Sequence, residues 1–384
     1  MNSIRWKILL GTLFGIAVLW GLFQRQFDPY ASSSKKAYTF QRVAGEDRTL
    51  TQYYQEGVSL GKNPTSPAKT SFIAVGDIML SRNVAQKIKD AKDPAAPFKN
   101  ISSLLQTANF SFGNLESPIA KGRGTAGGHS MVFAAGEDSI QGLTQNKFMV
   151  LNLANNHALD QGTQGLTTTI ELLDAVKIHH VGAGKDPQAA WAAAKQEQNG
   201  ITTCFIGASY ASINDNGKTT NTYVARIEDV SQLRLKLDAM KPECDFTVVT
   251  MHAGTEYTRE PNKAQTAFAR AAIDAGADLV IGAHPHWIQT IEKYQGKYIF
   301  YSLGNFVFDQ MWSQETREGL AIKINLTKPA GQNFGLQGQK ARADLENIEL
   351  LPVVIDDYST PRLADADESQ EILEKIGLKE KILY

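Results

Sequence analysis

The chain has 384 residues, enough for one large domain with attachments or for two to three domains. Hydrophobic residues make up 42% and charged residues 21%, which excludes a disordered chain, a fibrous repeat and a polytopic membrane protein. Lys and Arg number 39 against 40 Asp and Glu, so there is no global basic field for nucleic acid, and no dense local patch replaces it.

Residues 8–23 (ILLGTLFGIAVLWGLF) are almost wholly apolar, preceded by Arg5 and Lys7, in the pattern of an export signal. As a helix they span ~24 Å, short of the ~30 Å hydrocarbon core. Lys7 and Arg25 can snorkel, and Trp6 and Trp20 can sit near the interfaces, which lengthens the effective span. An uncleaved signal anchor over 1–25 is the first reading and a cleaved signal peptide the second. The anchor places a single pass in a cell membrane with the bulk of the chain on the extracytoplasmic side. Residues 26–68 are polar and read as a stalk or linker with room for one short helix.

From residue 71 onward, short β-branched runs alternate with helical patterns, the signature of an α/β domain over 69–356. Strands are predicted at 71–75, 109–112, 148–153, 178–181, 201–208, 245–251 and 278–281. Helices are predicted near 81–90, 99–106, 163–176 and 262–275. Residues 287–294 and 297–302 read as an antiparallel hairpin turned at Gln295-Gly296. Residues 320–355 alternate like antiparallel β, and 357–384 read as a helical tail. Cys204 and Cys244 lie in or beside two predicted strands. Two buried free thiols is the simpler reading; a bridge needs an oxidising compartment and neighbouring strands.

The chemistry-bearing residues sit where predicted strands end, the edge at which open α/β sheets bind ligands. Asp77 follows SFIAVG, and Asn114 and Glu116 follow FSFG. Asn155, Asn156 and His157 follow VLNLA. His252 follows FTVVTM, and His284 and His286 follow DLVIGA. Carboxylates, an amide oxygen and imidazoles together suit Mn²⁺, Fe²⁺ or Zn²⁺. Each piece alone is commonly a cap or a turn; the joint order is what points to a metal site. His129, in KGRGTAGGHS (121–130), reads as part of a loop near the site, and no Lys-Ser/Thr follows its last Gly to make a P-loop. His179 and His180 read as structural or surface residues.

The stretches VGDIMLSR (75–82), GNLESPI (113–119), LNLANNHALDQG (151–162), VVTMHAGTEY (248–257), DLVIGAHPHWIQ (278–289) and YSLGNFVFD (301–309) resemble the calcineurin-like metallophosphoesterases. In more detail they resemble the CapA family of poly-γ-glutamate capsule biosynthesis. The resemblance covers roughly residues 70 to 310 and implies a four-layer αββα sandwich. It implies a site in which Asp77, Glu116, Asn156, His252, His284 and His286 surround one or two cations. His157 would be the general acid. Asp160 would orient it, or else cap the following helix. Arg82, Asn114, Arg259, Ser302 and Asn305 would hold an anionic substrate. Met79 stands where the phosphoesterases carry a His, and Asn114 where they carry a bridging Asp. Ala253 stands where the residue after the fourth-motif His is usually aromatic. These departures put a standard two-metal centre in doubt.

The function implied is a membrane-anchored component of poly-γ-glutamate capsule synthesis or export. Its partners would be that or another anionic polymer and the membrane synthetase and export subunits. A metal-dependent hydrolase, acting on phosphoesters or on polymer amides, is one alternative. A non-catalytic binding or assembly module that keeps the cleft is the other.

Overall fold

The computed structural model describes residues 38–41, 66–121, 131–210, 221–330 and 341–378. Residues 1–25, read as the anchor, and His129 lie outside them. Among the described residues no helix is long and apolar enough to cross a membrane.

In chain order the strands begin with β1 (Tyr38–Gln41), β2 (Ala68–Ile78), β3 (Phe110–Leu115), β4 (Ile119–Ala120), β5 (Ala135–Gly136) and β6 (Phe148–Asn152). They continue as β7 (His179–Val181), β8 (Ala194–Gln198), β9 (Ile201–Ser209), β10 (Phe246–His252), β11 (Leu279–Ala283) and β12 (Ile291–Tyr294). The last are β13 (Lys297–Phe300), β14 (Asn305–Val307), β15 (Glu318–Lys328), β16 (Asp344–Asp356) and β17 (Thr360–Leu363). The longer helices are α1 (Arg82–Ala91), α2 (Gly162–Ala175), α3 (Val230–Met240), α4 (Lys263–Asp274) and α5 (Ala366–Lys375).

Two sheets form. The first runs β1-β16-β15-β2-β3-β6-β7, with β14 beside β2 and β17 beside β16. Its β2, β3, β6, β7 and β14 are parallel, while β1, β15, β16 and β17 make an antiparallel wing. The second runs β12-β13-β11-β10-β9-β8, parallel except at its two edges.

Alternation along β2 shows how the layers are built, because successive side chains leave opposite faces of a strand. Phe72 and Ala74 join Phe110, Phe112 and Val150 in packing against Phe205, Phe246, Val248 and Ile281 of the second sheet. The rings of Phe72 and Phe110, and of Phe112 and Phe205, stack at 5.1 Å. Ile73 and Val75 face the other way, onto a core with Val84 and Ile88 of α1 and Leu166 and Leu173 of α2. The far face of the second sheet packs Ile206, Val249 and Met251 against Leu233 and Leu237 of α3 and Phe268 of α4. Helices, sheet, sheet and helices therefore stack in four layers, an α/β architecture in which the parallel strands of both sheets are covered on both faces.

Three expectations change. Cys204 and Cys244 are joined in a disulfide, Cα–Cα 5.7 Å, rather than free thiols, because β9 and β10 are parallel neighbours that bring them together. Closing a loop between residues 40 apart stabilises the fold by about 4 kcal/mol on chain-entropy grounds. Within the expected linker, Tyr38–Gln41 is a strand paired with β16. The sheet also continues past residue 356, since β17 pairs with β16 before the tail becomes helical in α5.

Candidate metal centre

The parallel strands of both sheets end at one edge of the molecule, and their registers align the polar residues there. Asp77 lies opposite Asn114 across β2 and β3, and Asn114 opposite Asn152 across β3 and β6. His252 lies opposite Ala283 across β10 and β11, so His284 is the next residue out. Gly76 is required by close approach: a Cβ there would stand 1.8 Å from the Gly304 carbonyl oxygen, which accepts the Asp77 N–H at 3.0 Å. His284 and His286 hold φ of 101° and 58°, backbone conformations that L side chains rarely adopt and that concentrate at functional sites.

Asp77, Glu116 and His252 are completely buried, and Asn114, Asn156, His157, His284 and His286 nearly so. His252 lies 3.8 Å from Asp77 through Nδ1 and 3.7 Å from Glu116 through Nε2. His286 lies 3.5 Å from Asp77 through Nδ1 and 4.0 Å from Glu116 through Nε2. Glu116, His252 and His284 offer ligand atoms within 4.8 Å of one another, and so do Asp77, Glu116 and His286. Glu116 Oε1 and His284 Nδ1 are buried without a hydrogen-bond partner. A buried, orphaned carboxylate oxygen costs stability unless something cationic reaches it, so the donor set fits a divalent cation.

Burial, followed by the adjacent Asp77 carboxylate, holds the Glu116 carboxyl well above the usual range. Burial also pushes His252 well below its ordinary value, and His284 down to about 3. Both imidazoles are therefore neutral at pH 7, the form that ligates a metal.

His157 Nδ1 lies 2.7 Å from the Asp160 carboxylate oxygen Oδ2, and its Nε2 lies 4.0 Å from Glu116 Oε1. The Phe133 ring stacks on this imidazole at 3.9 Å, and the Phe133 N–H holds the same Asp160 oxygen at 2.6 Å. Met79 plays no part in the ligand set; its sulfur accepts the Ser81 N–H.

Of the residues expected to bind an anionic substrate, three are engaged within the fold. Arg82 pairs with Asp309 and lies over the Phe133 and Phe308 rings. Arg259 donates to the Ile288 carbonyl at 3.1 Å and approaches Glu318 at 3.6 Å. Ser302 Oγ accepts the Gly304 N–H, which is turn geometry. Asn305 Oδ1 accepts from His286 Nδ1 at 3.0 Å, and the Asn114 amide donates to Asp77 Oδ1 at 2.8 Å, so both act on the centre itself. Asn156 meets His252 Nε2 at 2.8 Å.

Sequence reasoning missed Asn152, which donates to Asn114 Oδ1 at 2.9 Å; the signal was a polar residue interrupting the apolar run FMVLNL. It also missed Phe133 and Phe308, the latter edge-on to His286 at 4.9 Å, for which no local signal exists.

Fold and site together define an α/β two-sheet protein with a buried carboxylate–histidine centre at its strand ends. Residues 71–310 match the bacterial capsule synthesis protein family PGA_cap, and the chain belongs to that family. It is 34% identical over 282 residues to the PGA biosynthesis protein CapA of Bacillus subtilis, covering 71% of this chain and 74% of that one. It is 32% identical to the capsule biosynthesis protein CapA of Bacillus anthracis, covering 67% of this chain and 64% of that one. Among solved structures, the NAD nucleotidase of Haemophilus influenzae is 11% identical with a TM-score of 0.42, over 82% of this chain and 63% of that one.

Proposed function

We propose that the protein is an extracytoplasmic component of poly-γ-glutamate capsule synthesis or export, held in the bacterial cell membrane by residues 1–25. Family membership and the names carried by the Bacillus relatives support the capsule role. The Cys204–Cys244 disulfide supports an oxidising compartment for residues 69–356. Its partners are poly-γ-glutamate or another anionic polymer and the membrane subunits that make and export it.

The observation that carries the role of the cleft is the orphaned Glu116 Oε1 between Asp77, His252, His284 and His286. These residues would hold one or more divalent cations of the Mn, Fe or Zn type. Lewis-acid polarisation of a substrate oxygen is the chemistry such a cation supplies. Asp77 and Asp160 bring carboxylates to the cleft, which opposes a polyanion unless a cation offsets them. Asp160 accepts the Nδ1 hydrogen of His157, which leaves Nε2 as the atom that holds or passes a proton facing Glu116. Phe133 fixes the plane of that ring.

The His157–Asp160 pair favours a second reading, a metal-dependent hydrolase acting on the polymer or on a phosphoester. A deletion strain complemented with full-length variants separates the readings. Glu116→Gln and His286→Gln are expected to fail to restore poly-γ-glutamate. His157→Ala is expected to fail too if the cleft is hydrolytic, and to succeed if it only binds. Full restoration by Glu116→Gln and His286→Gln would remove the cleft from the function. Normal polymer in the deletion strain would remove the capsule role.

A further inference from the structure

We propose that the centre takes a single cation, at Asp77, Glu116 and His286, and that Asn114 closes the second position. This rests on the cation reading above and adds the number of ions and the residue that sets it.

The orientation of the Asn114 amide follows from backbone groups outward. Asn152 donates one Nδ2 hydrogen to the Ala154 carbonyl at 2.9 Å, and its Oδ1 accepts the Ala154 N–H at 3.3 Å. Asn155 donates one to the Leu115 carbonyl at 2.8 Å, and its Oδ1 accepts the His157 N–H at 3.1 Å. Neither side chain can be turned over without losing backbone bonds. Each has one hydrogen left, and both aim it at Asn114 Oδ1, at 2.9 and 3.4 Å. The oxygen of Asn114 is thereby occupied, and its NH₂ must face the centre.

That NH₂ stands 2.8 Å from Asp77 Oδ1, 3.0 Å from His252 Nδ1 and 3.5 Å from Glu116 Oε2. Its two hydrogens serve the two nearest. A hydrogen-bearing amide therefore occupies the place between these three atoms that a cation would need. His252 Nδ1 accepts, so Nε2 carries the ring hydrogen and donates it to Asn156 Oδ1 at 2.8 Å. Both nitrogens of His252 are used, and the trio of Glu116, His252 and His284 lacks a lone pair from its middle member.

His286 is held in the opposite sense. Asn305 donates both Nδ2 hydrogens, to the Thr316 carbonyl at 2.8 Å and to Gln310 Oε1 at 3.1 Å, so its Oδ1 accepts from His286 Nδ1. The lone pair of His286 Nε2 is left free, 4.0 Å from the orphaned Glu116 Oε1. An outer-shell acceptor on one ring nitrogen is the usual way a protein fixes and strengthens an imidazole ligand on the other.

The test is to load the full-length chain with Mn²⁺, count ions per chain by elemental analysis and record the EPR spectrum. The wild type is expected to hold one ion with the spectrum of an isolated centre. Asn114→Asp, which turns the blocking donor into an acceptor, is expected to hold two, with the exchange-coupled spectrum of a pair. His252→Gln is expected to keep one ion, while His286→Gln weakens binding by about 100-fold or more. Two ions in the wild type, one ion in a folded Asn114→Asp, or His252→Gln binding as poorly as His286→Gln would each overturn the assignment and leave the cation reading standing. No ion in the wild type would overturn both. Where Asn114→Asp does not fold, the comparison of His252→Gln with His286→Gln decides.

Discussion

Glu116 at the strand ends and Glu318 in the antiparallel wing are both almost wholly buried, 0% and 1% exposed, yet their surroundings are opposite. Glu318 has Lys375 of α5 at 2.5 Å on one oxygen and Arg259 at 3.6 Å on the other. Glu116 instead faces a second carboxylate and the lowered imidazoles of His252 and His284. One oxygen of each carboxyl, Glu116 Oε1 and Glu318 Oε2, lacks a hydrogen bond, but only Glu318 has fixed cations of the chain beside it. A buried charge must be compensated. The wing does this with fixed cations of the chain, whereas the donors at the strand ends suit the cation proposed above.

The largest expected effect is on the wing. Lys375→Met leaves the Glu318 carboxylate short of a partner and should cost about 3 kcal/mol in urea unfolding, unrelieved by added Mn²⁺. A loss under about 1 kcal/mol would erase the contrast. Asn305→Ala, at the strand ends, should cost about 1–2 kcal/mol in urea unfolding in chelator, because the buried Thr316 carbonyl and Gln310 lose their donor. It should weaken cation binding roughly 10- to 100-fold by calorimetry, because His286 loses its outer partner. Unchanged affinity would show that Asn305 does not support a ligand.

Glu116→Gln sharpens the comparison through pH. In the folded chain the raised Glu116 keeps its proton to higher pH than in the unfolded chain, where the ordinary value is 4.5. Its contribution to stability therefore falls as pH rises above 4.5. His284, lowered from 6.5 to about 3, has the opposite sign: its contribution is lost as pH falls below 6.5. In chelator, wild type minus Glu116→Gln should show a stability difference that grows more unfavourable to the wild type with rising pH. A flat difference would contradict it. Added Mn²⁺ should stabilise the wild type and not the variant.

The smallest effect belongs to Glu368, which Arg362 clasps at 2.6 and 2.8 Å and holds down to about 2. Its contribution is present above about 4.5 and lost as pH falls towards 2. Because the pair is about a third exposed and screened by solvent, Glu368→Gln should cost only about 0.5 kcal/mol at pH 7. A cost above about 2 kcal/mol would mean the pair behaves as a buried one.

Most of the central strands were legible in the sequence because they are buried on both faces and so read as uninterrupted apolar runs, as in FTVVTMH of β10. The hairpin at Gln295-Gly296 was legible from its turn residues. Helix α3 was not: Leu233, Leu235 and Leu237 alternate as in a strand, and only packing reveals that Leu233 and Leu237 are buried while Leu235 is 63% exposed. Strand β8 (AKQEQ) carries no apolar run, since as an edge strand it buries only alternate residues. Among site residues, Arg82 and Arg259 looked like anion binders because their partners, Asp309 and Glu318, are 227 and 59 residues away in sequence.

The sequence by itself determined the α/β class, the strand ends and the residue types gathered there, because strand burial and turn chemistry are local properties. Only the tertiary structure decided which groups the ring nitrogens of His252 and His286 meet, which oxygen of Glu116 lacks a hydrogen bond, and that Asn114 turns its donor rather than its acceptor inward. Those outcomes depend on registers between strands and on hydrogen bonds spanning as many as 138 residues, as from Asn114 to His252, for which no local pattern codes.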